Sequence, residues 1–331
     1  MNRGNMGTIH IGTRGSALAL AQAHLTQELI QKAFPHLDAE ICVIKTSGDK
    51  DHVRSLVSFG GQGVFVKEIE EALLEKKIDI AVHSLKDVPD SMDDRLELSG
   101  FLKRENPHDV LVSGGKKIAD LKPGATIGTG SPRRVLQLKA IRPDVHCVNL
   151  RGNLPSRIEK VKTGEFDAIL LGAAGLNRLG MPGEISEIFS VDQVTPAIGQ
   201  GIIALQSLKE NALAKEIAQA ISHRETVIAA RVERHWMNLL GGGCRVPMGA
   251  ILSPDSGAFL FTAFLADLQN GHSLRMTNRF DATELSENAH ACNALDAFAK
   301  TFAEACHARN IMLPSEAPGT EAIASFWDVE H

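Results

Sequence analysis

At 331 residues, with 44% hydrophobic and 23% charged side chains, the chain has a globular composition and exceeds the length at which a single core stops growing, so two or three domains are expected. Its formal charge of -5 argues against nucleic-acid binding through global charge, and no uninterrupted apolar run suits a membrane span or a signal-peptide core. Five scattered cysteines (Cys42, Cys147, Cys244, Cys292, Cys306) without a CxxC pair argue against a disulfide framework or zinc knuckle and fit a reducing, cytoplasmic compartment.

In chain order, TIHIGT reads as a strand and ALALAQAHLTQELIQKAF as an amphipathic helix. EICVIKT is the next strand, and the helix VKEIEEALLEKK delivers the strand IDIAVHS. Residues 104–124, rich in Gly, Pro and Lys, read as a passage into a second unit. There ATIGTG precedes the helix PRRVLQLKAI, VHCVNLRG precedes PSRIEKVKTG, and FDAILLGAA precedes GLNRLG. TPAIGQGIIALQ reads as the return passage. The alternation predicts α/β layers with mostly parallel sheets. Beyond the helix RETVIAARVERHWMNLL, residues 257–281 read as antiparallel strands with an Asn-Gly hairpin turn at Asn270 and Gly271. The helix NALDAFAKTFAEACHARN completes a small α+β domain, and the tail 316–331 is expected to be weakly ordered.

Polar residues stand where the expected strands end. Arg14 and Ser16 follow the first strand, Lys86 and Asp87 follow IDIAVHS, Ser131, Arg133 and Arg134 follow ATIGTG, Arg151 and then Arg157 follow VHCVNL, and Arg178 follows FDAILLGAAG. Ligands of open α/β sheets bind outside the carboxyl ends of strands, and arginine suits carboxylate or phosphate recognition. One lone loop arginine is ordinarily a solvated surface residue; five strand ends bearing cations predict a polyanionic ligand. The P-loop pattern is absent, and Arg133 stands where a dinucleotide fingerprint needs its third glycine, which disfavours a nucleotide. Asp87 is the acid among these cations, suited to holding a cationic group or intermediate, or alternatively to capping the loop before Pro89. In NLLGGGCRVPMGA, Cys244 follows Gly241, Gly242 and Gly243 and precedes Pro247, a shaped loop with room beside the sulfur.

TRGSALAL, HSLKDVP, GTGSPRR, LRGNLPSR, FDAILLGAAGLNRLG, PAIGQG and GGGCRVPMG together resemble the signature segments of the porphobilinogen deaminase (hydroxymethylbilane synthase) family, over about residues 9–250. The resemblance implies two type II periplasmic-binding-protein-like α/β domains and a small C-terminal α+β domain. Residues 1–103 and 203–221 would form the first, 104–202 the inserted second and 222–315 the third. It implies condensation of four porphobilinogen molecules to 1-hydroxymethylbilane with loss of ammonia, on a dipyrromethane cofactor joined by a thioether to Cys244. Asp87 matches the catalytic aspartate. Arg14, Arg151 and Arg157, with Ser16 and Arg178 beside them, match substrate-binding positions, and Lys86, Ser131, Arg133 and Arg134 match cofactor contacts. A cytoplasmic monomer without metal, handing its product to the next pathway enzyme, is implied as well.

Departures from the family pattern are Gln62 for lysine, Gln206 for glutamate, His235 and Trp236 where small and phenyl side chains are common, and Pro155 at a helix start. Pro155 is compatible with a first helical turn. Two rivals stand beside the deaminase: a tetrapyrrole- or anion-binding paralogue without turnover, and a thiol hydrolase using His235 as base for Cys244. His83 and His108 read as local hydrogen-bonding residues, and the four other cysteines as small buried hydrophobes.

Overall fold

The computed structural model describes residues 7–45, 66–241, 246–285 and 293–316. The chain divides into two compact units, Met1–Glu105 with Ile202–Ala230, and Asn106–Gly201 with Arg231–His331. The second unit holds both the inserted α/β segment and the C-terminal sheet.

The first unit is built on a sheet of β1 (Thr8–Arg14), β2 (Asp38–Ile44), β3 (Ile80–Ser84), β4 (Leu96–Phe101) and β10 (Ile203–Leu208), in the order β2-β1-β3-β10-β4. The pairs β1–β2 and β1–β3 are parallel, whereas β10 runs antiparallel to both its neighbours. β3 reads IAVHS and is buried along four of its five residues, as a strand covered on both faces must be. Helices α1 (Ala17–Ala33), α2 (Lys67–Leu74) and α6 (Ala212–Ala220) cover it. Ile11, Ile30, Ile80, Leu205 and Ile217 form one core, and Ile69, Leu73, Ile78 and Leu96 a second.

The second unit repeats this plan with β5 (Asp109–Val112), β6 (Thr126–Gly128), β7 (His146–Val148), β8 (Ala168–Gly172) and β9 (Glu187–Ile188), in the order β7-β6-β8-β5-β9. Here β6 is parallel to β7 and β8, and β5 is the antiparallel member. Each passage between units thus delivers one reversed strand into the sheet it enters, β5 on the way out and β10 on the return. Residues 104–124, expected as a connecting passage, contain β5. Its four residues, DVLV, lie beside Gly and Lys that dominate the local composition. Helices α3 (Pro132–Ile141), α4 (Leu154–Lys162) and α5 (Ala173–Arg178) follow β6, β7 and β8 as expected. Pro155 lies in the first turn of α4, and Asn153 caps that helix by accepting from Ser156 N at 2.9 Å.

The C-terminal part pairs β11 (Met248–Asp255), β12 (Ala258–Ala266) and β13 (Ser273–Asp281) in an antiparallel sheet, with α7 (Arg224–Leu239) and α8 (Asn293–His307). Trp236 is fully buried, 5.0–5.4 Å from the ring centroids of Phe261, Phe298 and Phe302, so this departure fills the local core. The expected Asn-Gly hairpin turn lies in the connection between the antiparallel strands β12 and β13, in a wider form than a two-residue turn. A tight type I′ connection needs positive φ at both residues; Gly271 has φ 72° but Asn270 does not. Residues 267–272 form a longer loop in which the Asp267 carboxylate accepts from Gln269 N at 2.7 Å and Asn270 N at 3.3 Å. The tight turn is Ser256 and Gly257, φ 46° and 83°, between β11 and β12.

Candidate active site

β1 and β3 are adjacent and parallel, so their ends lie at one edge of the first sheet. Arg14 closes β1, half-buried. Ser16 caps α1, its Oγ accepting from Ala19 N at 3.3 Å. Beyond β3 the chain makes a 3-10 turn, Leu85–Asp87. Leu85 is buried and its N–H donates to Ile202 O at 3.0 Å, while Val88 N–H returns to Leu85 O at 3.1 Å. The turn therefore closes on backbone, leaving Lys86 and Asp87 exposed. Among the described residues the Asp87 carboxylate accepts no hydrogen bond, so it does not cap the loop before Pro89.

Next to this turn lies a polar chain, buried at His83 and Gln206 and half-buried at Glu70, that sequence reasoning missed. His83 Nε2 meets Gln206 Oε1 at 3.0 Å, and Gln206 Nε2 donates to Glu70 Oε1 at 2.7 Å. Burial pushes the His83 imidazole down to about 4, with the nearby Arg14 charge adding to it and the bond to Gln206 opposing. The neutral ring then donates through Nε2. Burial also raises the Glu70 carboxyl, against the effect of its bond from Gln206. An amide can accept from His83 while donating to Glu70; a glutamate at 206 would set two carboxylates against each other. The departure at Gln206 is matched to its neighbours.

In the second sheet the parallel strands β6, β7 and β8 likewise end at one edge. The cations of the five strand ends are thus shared between two sheet edges, one in each unit. Ser131 precedes α3 without a side-chain capping bond. Arg151 is exposed after β7, and Arg157 in α4 donates through Nε to Gly152 O at 2.7 Å. Arg178 ends α5 and donates through Nη2 to Gly201 O at 2.6 Å.

Arg133 and Arg134 lie in the first turn of α3, where cations oppose the helix dipole, and both are buried. The reversed strand β5 begins at this same edge and brings the fully buried Asp109 against them. Arg133 Nη1 donates to Asp109 Oδ2 at 2.7 Å and Thr195 O at 2.5 Å. Arg134 donates to Asp109 Oδ1 through Nε at 2.9 Å and Nη2 at 2.6 Å, and through Nη1 to Leu170 O at 3.0 Å. Gln200 Nε2 adds a bond to Asp109 Oδ1 at 3.0 Å. Burial opposes ionisation of Asp109, but the two guanidiniums hold its carboxyl well below the usual carboxylate range. One carboxylate for two cations leaves the cluster with an excess positive charge. Arg134 spends all three nitrogens, whereas the side-chain bonds Arg133 makes among the described residues all use Nη1. The short run DVLV was the only sequence signal for Asp109.

Cys244, Gly242, Gly243, Gln62, Cys292 and the tail from residue 317 lie outside the described residues. Gly241 has φ 69°, and a Cβ there would stand 2.6 Å from Ser315 Cβ, so its bareness admits the chain's own Ser315. Cys147 and Cys306 are buried, their thiols pushed up to about 11 and about 12 by burial, whereas Cys42 is half-buried. His235 Nε2 lies 3.0 Å from Asp296 Oδ1 on α8, which gives the expected base of a thiol hydrolase a carboxylate partner. His108 Nδ1 meets Phe189 O at 2.9 Å.

The family model "Porphobilinogen deaminase, dipyromethane cofactor binding domain" matches residues 9–216. The porphobilinogen deaminase of Syntrophomonas wolfei subsp. wolfei is 41% identical over 264 residues, covering 80% of this chain and 86% of that protein. That of Geobacter sp. (strain M21) is 40% identical over 295 residues, covering 86% and 93%. Among solved structures, the Bordetella pertussis BvgS periplasmic VFT2 domain covers 66% of this chain and 90% of its own, at 18% identity and a TM-score of 0.38. No helix among the described residues is long and apolar enough to cross a membrane. With the family model spanning most of the chain and relatives about 40% identical over four-fifths of it, the chain belongs to the porphobilinogen deaminase family.

Proposed function

We propose that the protein is a transferase that condenses four porphobilinogen molecules head to tail into 1-hydroxymethylbilane, releasing one ammonia at each condensation and taking up one water that supplies the product's hydroxyl. The observation that carries this reading is Asp87, an exposed carboxylate without a hydrogen-bond partner among the described residues, held by a backbone-closed turn at the edge that also bears Arg14 and Lys86. Loss of ammonia from the aminomethyl carbon leaves a cation shared with the pyrrole ring. Asp87 accepts the pyrrole N–H and balances that charge, which an exposed group spent on no other bond is free to do. Arg14, Arg151, Arg157 and Arg178, with Ser16, bind the acetate and propionate groups of the substrate and growing chain.

The residues present suit a carboxylate-bearing cofactor. The α3 cluster has a cation in excess, Ser131 spends no hydroxyl on capping, and Lys86 is exposed. Lys86, Ser131 and Arg133 hold the dipyrromethane carboxylates, Arg134 contributes its charge from its place against Asp109, and Cys244 carries the group through a thioether. When bound, the dipyrromethane supplies the primer pyrrole that accepts the first substrate unit. The enzyme works as a cytoplasmic monomer without metal and passes hydroxymethylbilane to the next enzyme of porphyrin synthesis.

The test is intact mass together with ammonia and hydroxymethylbilane formation from porphobilinogen. The purified parent carries a two-pyrrole adduct, and Cys244→Ser loses both the adduct and nearly all product. A parent that makes product without an adduct on Cys244 refutes the anchor. A parent with neither supports the non-catalytic binding paralogue.

A further inference from the structure

Arg275, on the C-terminal sheet, bonds the residues that hold the arginine cluster in place. Arg275, half-buried on β13, has its guanidinium carbon 5.5 Å from the Phe264 ring centroid. It donates through Nε to Thr195 Oγ1 at 2.8 Å and through Nη2 to Gln137 Oε1 at 2.7 Å and Gln193 O at 3.2 Å. Gln137, itself buried on α3, brackets the Thr195 backbone: Oε1 accepts from Thr195 N at 2.8 Å and Nε2 donates to Thr195 O at 3.1 Å. That same Thr195 oxygen accepts Arg133 Nη1. Every polar atom of Thr195 is thus engaged, its hydroxyl donating to Val191 O at 3.0 Å.

We infer that Arg275 is a positioning residue for Arg133, acting through Gln137 and the backbone of Thr195. Arg133 Nη1 is pinned between two acceptors, Asp109 Oδ2 and Thr195 O. Asp109 alone leaves the guanidinium plane free to swing about a single contact; Thr195 removes that freedom. Thr195 O keeps its place because Gln137 holds the peptide on either side, and Gln137 Oε1 keeps its orientation because Arg275 donates to it. The planar fork of arginine serves Thr195 and Gln137 at once, which a lysine ammonium on a flexible stem does less well. The inference rests on the proposed role of Arg133 in holding a cofactor carboxylate, and its effect is on cofactor loading rather than on chemistry at Asp87.

The test uses the full chain produced without cofactor, in cells unable to make porphobilinogen, then titrated with porphobilinogen while adduct occupancy is read by intact mass. Arg275→Met keeps the stem beside Phe264 and removes the donors. Removing an orienting hydrogen bond from a charged donor corresponds to roughly a tenfold rise in the half-loading concentration. Arg275→Lys falls between parent and Arg275→Met and guards against a folding defect in the latter. In an Arg133→Met background, Arg275→Met adds nothing further. Independently of loading, the Arg133 Nε–H resonance shifts and exchanges faster with solvent in Arg275→Met. Unchanged loading, additive effects in the double variant or an unmoved Arg133 resonance overturns the inference. If the parent takes up no adduct, the functional reading fails, and the Arg133 resonance still decides whether Arg275 positions it.

Discussion

Replacing Asp109 by asparagine tests the physical account of the arginine cluster. The fully buried carboxylate accepts four N–H donors, three of them from guanidiniums, at 2.6–3.0 Å. Asparagine has nearly the same shape but one acceptor oxygen, and its amide N–H groups face donors. Two buried cations then lack their counter-charge, the situation in which removing one partner of a buried ion pair costs about 3–5 kcal/mol. Four lost bonds at ~1.5–3 kcal/mol each would overstate the effect, because they share one group and the neighbours relax. We expect ~4 kcal/mol, which lowers Tm by roughly 10 °C for a unit of this size. Thermal and urea unfolding measure it, and adding Arg134→Met to Asp109→Asn should restore part of the loss by removing the surplus cation. The sign with pH follows from the depressed folded value: the stabilisation is complete above about pH 4, where the unfolded aspartate is ionised, and erodes as pH falls toward the folded value. Asp109→Asn unfolding within about 1 kcal/mol of the parent, with an unchanged acid limb, would refute the reasoning.

Asp87→Asn should slow ammonia release from porphobilinogen by roughly two to three powers of ten and leave Tm unchanged, since no folded-state bond among the described residues uses this carboxylate; near-parental release sinks the assignment. For His83, whose folded value of about 4 lies below the ordinary 6.5, stability is fully present above pH 6.5 and is lost as pH falls toward 4, by roughly 3 kcal/mol over that window. Ring-proton NMR should show His83 neutral at pH 5, and His83→Asn should flatten unfolding stability between pH 6.5 and 4; an imidazole titrating near 6.5 contradicts the buried chain.

Most of the α/β framework was legible in the chain because strand and helix periods are local. TIHIGT, ATIGTG and VHCVNL each became a strand, and the helices after them begin where Ser16, Pro132 and Asn153 mark their starts. The polar residues at strand ends were legible for the same reason, since a residue following a strand must stand at a sheet edge. Which edge it shares depends on strand order, and that is set by pairing between distant segments: β10 inserts between β3 and β4, and β5 between β8 and β9. The composition of 104–124 hid β5, and with it Asp109, so two arginines read as open ligand contacts carry a buried counter-ion whose need no local pattern announces. Gln206 stood out only as a departure from glutamate until folding set Glu70 beside it. The sequence by itself determined most of the elements, the family and the kinds of side chain at the strand ends. Only the tertiary structure decided which of those charges remain in solvent and which are neutralised inside, because burial and pairing belong to neighbours far apart in the chain.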